Sequence, residues 1–209
     1  MVPTQLNEIA EFLKTNPYNL SQPLQDGRLN SSVNEEEILN TIKDYFPIQL
    51  PRAREWWDFS FEENKIFYPV NIKTTTTKTA DNLNGKLGIY YALCGLVPEF
   101  NNEIAWEKYF HKLHKDLGTN TNRDYYFLII NKNDPKDVFI NSLKGIQTIQ
   151  PNNLPFQCKW DNNRKIVQRS FIESKNFILS ALAESVKLRS NIYLTFKECF
   201  GEFFVSIRD

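Results

Sequence analysis

Residues 125–131 read Tyr-Tyr-Phe-Leu-Ile-Ile-Asn, apolar at nearly every position. A half-buried strand alternates apolar and polar side chains, because successive side chains point to opposite faces. A run apolar on both faces belongs at the centre of a sheet, with cover above and below. It is too short to cross a bilayer. The rest of the chain must supply layers for both faces of such a sheet, and helices are the expected material.

Helical periodicity supplies them. Residues 5–14 form a short amphipathic pattern with Ile9, Phe12 and Leu13 inward. Residues 15–31 are rich in Asn, Ser, Pro and Gly and read as a loop. Further helices are predicted over 33–46, from Gly85 within 81–96, and over 104–117, the last ended by Gly118. The longest covers 168–188 and offers Phe171, Ile172, Phe177, Ile178, Ala181, Leu182 and Val186 to the core. Residues 138–143 read as a neighbour of the central strand, after a turn at Asn133-Asp134-Pro135, and 154–160 as a further short strand. The tail from Asn191 holds Phe196, Phe200, Phe203 and Phe204 and is expected to pack. The order predicts an α/β fold, a mixed central sheet with a helix on each face.

A β-hairpin precedes the central strand. Residues 57–61 (WDFSF) and 66–77 (IFYPVNIKTTTT) flank a polar turn at 62–65. Period-two alternation puts Asp58 and Ser60 opposite Trp57, Phe59 and Phe61. On the second run Asn71 and Lys73 share a face, opposite Ile66, Tyr68, Val70 and Ile72. If the strands pair, Asp58, Asn71 and Lys73 converge. Pro69 cannot donate to a ladder, so a local bend is expected there.

The 209 residues suggest one domain, and 25 basic against 25 acidic residues leave no net charge to drive partner choice. Three distant cysteines, Cys94, Cys158 and Cys199, imply neither a disulfide framework nor a zinc site, and a reducing cytoplasm is the simplest expectation. No signal-peptide or membrane-spanning run is apparent. His111 and His114 lie one turn apart beside Glu107, which an exposed polar helix face explains better than a metal.

With these residues in view, the hairpin resembles the core of the PD-(D/E)xK nuclease superfamily. In size and layout the chain resembles a type II restriction endonuclease, over about residues 35–131. Trp57 stands where that pattern has proline, and Asn71 stands where it has a second acidic residue. The resemblance implies one nuclease domain over 1–209, with a catalytic core at about 33–131 and recognition or dimerisation elaborations in the flanks. It implies Mg²⁺ held by Asp58 with Asn71 and Glu35, and Lys73 orienting the attacking water. Its products would be 5′-phosphate and 3′-hydroxyl ends, its partner double-stranded DNA. A palindromic target would require a homodimer. A structure-specific repair nuclease and a catalytically silent DNA-binding protein are the rival expectations, the latter motivated by Asn71.

Glu35 enters because it falls inside the apolar stripe of its predicted helix. At 3.6 residues per turn, Ile38, Leu39, Ile42 and Phe46 lie within about 60° of it. A carboxylate there is costly unless paired or metal-bound. Alternatively, Ser32-Val33-Asn34-Glu35 fits a capping box, with Glu35 bonding the Ser32 amide. Asp81 is a weaker third acid. For DNA contacts, Thr74, Thr75, Lys78, Asn82, Asn84 and Lys86 form one polar segment; Asn153, Gln157, Lys159 and Arg164 belong to another.

Overall fold

The computed structural model describes residues 2–16, 27–52, 55–83, 85–99, 105–152 and 156–201. Asn84, Asn153, Phe203 and Phe204 lie outside them. The principal sheet has four strands in the order β1-β2-β4-β5. Its members are β1 (Phe59–Glu63), β2 (Ile66–Thr75), β4 (Tyr126–Asn131) and β5 (Asp134–Ser142). β1 runs antiparallel to β2, β2 parallel to β4, and β4 antiparallel to β5. The run at 125–131 is therefore central, paired on both sides as its composition demands. A second sheet, β3 (Ala80–Asn82), β7 (Phe156–Lys159) and β6 (Gln150–Pro151), was not foreseen as such; two of its strands are too short to carry a pattern.

Among the described residues, five α-helices complete the mixed α/β fold: α1 (Thr4–Thr15), α2 (Gly27–Ile42), α3 (Lys86–Cys94), α4 (Trp106–Asp116) and α5 (Phe171–Cys199). One face of the principal sheet buries Phe59, Phe61, Val70, Ile72, Leu128 and Val138 against Leu6, Ile9 and Leu13 of α1 and Ile38 and Ile42 of α2. The other buries Phe127 and Ile129 with α3, Tyr109 and Leu113 of α4, and Ile178 and Leu182 of α5. Phe156, Cys158 and Trp160 of the second sheet join that core, so the two sheets share it. Each fully buried large side chain contributes about 1.5–3 kcal/mol.

Local chemistry sets the element ends. Glu63 accepts from the amides of Thr4 and Gln5 and so caps α1 from the hairpin. Ser170 and Glu173 form a capping box at the start of α5. Gly95 ends α3 at φ 67°, and its amide bonds the Tyr91 carbonyl. Parallel β2 and β4 need a long crossover, which β3, α3 and α4 provide.

Several sequence expectations need correction. α2 begins at Gly27 rather than 33 and stops at Ile42, so Phe46 lies in the following turn. Ser32 is thus inside the helix, and the capping-box role for Glu35 is not available. Pro69 causes no bend; the β1–β2 register runs unbroken through the Ser60↔Pro69 pair. Ser60 exchanges its main-chain bonds with Gln49, so its pair with Pro69 is a non-hydrogen-bonded one. The missing N–H points to the side where β4 pairing begins only at Val70. Helix α5 runs on to Cys199 instead of ending near 188; Ile172 and Val186 are exposed rather than packed, and Phe196 and Phe200, about half exposed, lie ring to ring at 5.0 Å.

Candidate active site

Asn64 and Lys65 form the hairpin turn at φ 54° and 60°. Two positive-φ residues give the mirror-image turn whose twist suits paired strands, and this fixes the register at Phe59↔Val70. The next pair along brings Asp58 opposite Asn71. The Asp58 amide donates to the Val70 carbonyl at 2.9 Å. Its Oδ2 accepts from Asn71 Nδ2 at 2.7 Å and from the Ile72 amide at 2.6 Å. Burial pushes the Asp58 carboxyl above its ordinary range, opposed by the Ile72 N–H and the Lys73 cation.

Asn71 is held only through its nitrogen. Its Oδ1 is buried and meets no hydrogen-bond donor among the described residues. Such an atom costs about 1–3 kcal/mol and calls for an explanation. Lys73, two residues on and on the same face, donates from Nζ to the Asn82 carbonyl at 2.8 Å. That bond ties the principal sheet to the second one.

Glu35 reaches the same field from α2. Its carboxyl is raised to about 7, chiefly by burial, with Asp58 and Asp81 adding to the rise and Lys73 and Lys132 opposing it. Asp81 is fixed by the Trp160 indole N–H, 2.8 Å from its Oδ2. Three acids and two lysines thus share one electrostatic neighbourhood. Among the described residues no group of three or more His, Cys, Asp or Glu is arranged to hold a metal. The available donor set is Glu35, Asp58 and the Asn71 amide oxygen. All three are hard oxygen ligands of the kind Mg²⁺ takes, and the unbonded Oδ1 leaves one acceptor ready. The set fits such a cation, with one charge fewer than three carboxylates would give.

The segments expected to touch DNA come together, because β3 pairs with β7 through Asp81↔Cys158 and Asn82↔Gln157. Their residues differ in availability. Thr74 and Thr75 are only 6 % and 8 % exposed, which removes them from any surface role. Asn82 accepts from Asn152 at 2.7 Å, and Asn152 also bonds Gln157. Lys86 lies 3.6 Å over the Trp106 ring. Arg164 is forked onto Asp137 and paired with Asp161. Lys78 and Lys159 are exposed. Sequence reasoning missed Lys132; it named Asn82, but for DNA contact and not as the carbonyl that holds Lys73. Lys132 had a usable signal, since it directly follows a buried parallel strand, where open α/β sheets gather ligands.

A separate cleft of about 380 Å³ opens at the other ends of β2 and β4, beside Tyr68, Arg123, Asp124, Lys144 and Arg169. Its Lys144 and Arg169 are spent on main-chain carbonyls of the surrounding loops. No family model and no curated protein matches the chain. Among the described residues, no helix is long and apolar enough to cross a membrane.

Proposed function

We propose that this chain is a nuclease that hydrolyses phosphodiesters with a divalent cation held by Glu35, Asp58 and Asn71. More particularly, we propose a sequence-specific double-strand DNA endonuclease of the type II restriction kind, acting as a homodimer. The observation that carries the reading is the hairpin clasp: Asp58 bonded to Asn71, with Lys73 on the same face and Glu35 drawn into their field. A bound Mg²⁺ would supply Lewis-acid polarisation of the scissile phosphate and a more acidic attacking water. Lys73 places a cation where charge develops on the phosphate, its ammonium aligned by the Asn82 carbonyl. The Ile72 amide and the Asn71 side chain hold Asp58 by its Oδ2, and Oδ1 would be the oxygen offered to the cation. Lys78 and Lys159, exposed at the adjoining small sheet, suit phosphate contacts that set the duplex in place.

One observation favours a second reading. Asn71 satisfies Asp58 as a neutral donor, and a carboxylate so capped is stable with no cation. This supports a catalytically silent DNA-binding protein. Incubation with long unmethylated duplex DNA and Mg²⁺, beside Asp58→Ala and Lys73→Ala, separates the two. Discrete fragments from the wild type alone support the nuclease. A smear points to a non-specific or repair enzyme. No cutting in Mg²⁺ or Mn²⁺, with cutting gained in Asn71→Asp, selects the silent protein.

A further inference from the structure

The cleft of about 380 Å³ at the other ends of β2 and β4 takes no part in the site around Asp58. Its walls are pinned by two cations. Lys144 donates from Nζ to the Thr121 and Arg123 carbonyls, and Arg169 from Nη1 to those of Lys144 and Ile146. A carbonyl is a dipole and not a counter-charge, so both side chains keep their positive charge. Gly145 lets the wall close, since a Cβ there would lie 2.6 Å from Ile166 and 2.8 Å from Ser142 Oγ. Asp124 is the one acid lining the cleft among the described residues, and its Oδ1 accepts from the Tyr125 and Lys144 amides. Glu63 and Glu173, whose fields reach Tyr68 and Arg169, are engaged by the first amides of α1 and by Ser170. Arg123, Lys144 and Arg169 against Asp124 leave the lining with two positive charges in excess. A cleft with low-dielectric walls focuses such a field.

Two groups in the lining have donors to spare. Arg123 donates from Nη1 to Asn122, its chain neighbour, and forms no ion pair among the described residues. Tyr68 is held with its ring stacked on Phe61 at 5.3 Å and edge-on to Tyr126 at 6.0 Å. Its hydroxyl meets no hydrogen-bond partner among the described residues, and the Arg123 charge acts on it. We propose that this cleft binds a small phosphate monoester, with the phosphate held by the Arg123 guanidinium and the Tyr68 hydroxyl and the organic body lying against Ile66 and Val167. The dianion answers the two excess charges. The guanidinium fork suits two phosphate oxygens, and the hydroxyl can donate to the third. A carboxylate brings one charge and two oxygens, and so leaves part of the site unanswered. The volume is that of a site for a small organic ligand and exceeds what a bare anion needs. The inference does not rest on the nuclease reading, because Asp58, Asn71, Lys73 and Glu35 do not line the cleft.

The test is calorimetric titration of the full chain with phenyl phosphate, in EDTA so that no cation recruits phosphate elsewhere. Binding tighter than about 1 mM is expected, with benzoate at least about tenfold weaker. Ribose 5-phosphate and adenosine 5′-monophosphate, run in parallel, distinguish a sugar from a nucleotide as the source of the ester. Arg123→Gln is expected to weaken phenyl phosphate by roughly 10- to 100-fold and Tyr68→Phe by about threefold to tenfold, with circular dichroism unchanged. Arg123→Lys, which keeps the charge without the fork, is expected to fall between the wild type and Arg123→Gln. Lys73→Ala is expected to bind as the wild type does. No binding by the wild type, equal affinity for benzoate, undiminished binding by Arg123→Gln, or binding lost in Lys73→Ala overturns the proposal.

Discussion

Replacing Glu35 by glutamine tests whether the acid on α2 is strained by its surroundings. In the folded chain burial holds this carboxyl at about 7, against an ordinary value of 4.5. The folded state therefore binds the proton more tightly than the unfolded state. Stability contributed by the protonated acid is fully present below pH 4.5 and is lost as pH rises through about 7. At 1.36 kcal/mol per pH unit, the interval gives a ceiling of about 3.4 kcal/mol. Glu35 is partly exposed, so solvent screening reduces this to about 1–2 kcal/mol. Glutamine has the shape of the protonated acid and cannot ionise. Glu35→Gln should match the wild type in urea denaturation at pH 4.5. By pH 8 it should exceed the wild type by that margin, or by roughly 3–6 °C in Tm. Mg²⁺ added at pH 8 should narrow the gap by stabilising only the wild type. A difference between the two proteins that does not change from pH 4.5 to pH 8 would refute the reasoning.

Three further outcomes follow from the geometry. Asn71→Asp places a second carboxylate about where a neutral donor now sits 2.7 Å from Asp58 Oδ2. Without metal the pair should retain one shared proton near neutrality, and calorimetry should show Mg²⁺ binding at least tenfold tighter than in the wild type, with proton release. Asn163 is fully buried; its Oδ1 accepts from the Gln147 and Thr148 amides and its Nδ2 donates to the Thr148 and Lys159 carbonyls. Asn163→Ala should cost about 3 kcal/mol in urea denaturation, from buried groups left unbonded. Gly88→Ala would set a Cβ 2.6 Å from the Tyr125 ring, and a net loss of about 1–2 kcal/mol is expected despite alanine's better helix propensity; a gain in stability would show that the α3–β4 contact is loose.

The parts of the fold legible in the sequence were those where one residue pattern met one environment. The run at 125–131 could only be a central strand. Alternation about Asp58 and Asn71 told which side chains would converge, because the β-period admits just two faces. What escaped was decided by distant partners. Residues 80–82 become a strand only because 156–159 lies beside them, and three residues carry no period of their own. Ser32 and Glu35 matched a capping pattern, but the helix starts five residues earlier, so the same spacing falls in its interior. Thr74 and Thr75 looked like surface hydroxyls, yet their strand is covered on both faces. Arg164 looked free until folding brought Asp137 beside it. Composition names candidates, whereas the partner that engages each is set by the assembled sheet.

The bond from Lys73 to the Asn82 carbonyl bears on when the chain acquires its chemistry. The Asp58–Asn71 clasp is local and can close as soon as the hairpin turns, a matter of microseconds. The ammonium of Lys73 gains a fixed address only after the small sheet has closed, and Asn82 in turn leans on Asn152, 70 positions away. A chain halted on the ribosome, or one partly unravelled, would keep the clasp but lack the aimed cation. Aiming of the Lys73 ammonium therefore requires a closed small sheet, so the geometry of this site is a property of the assembled chain and not of its hairpin.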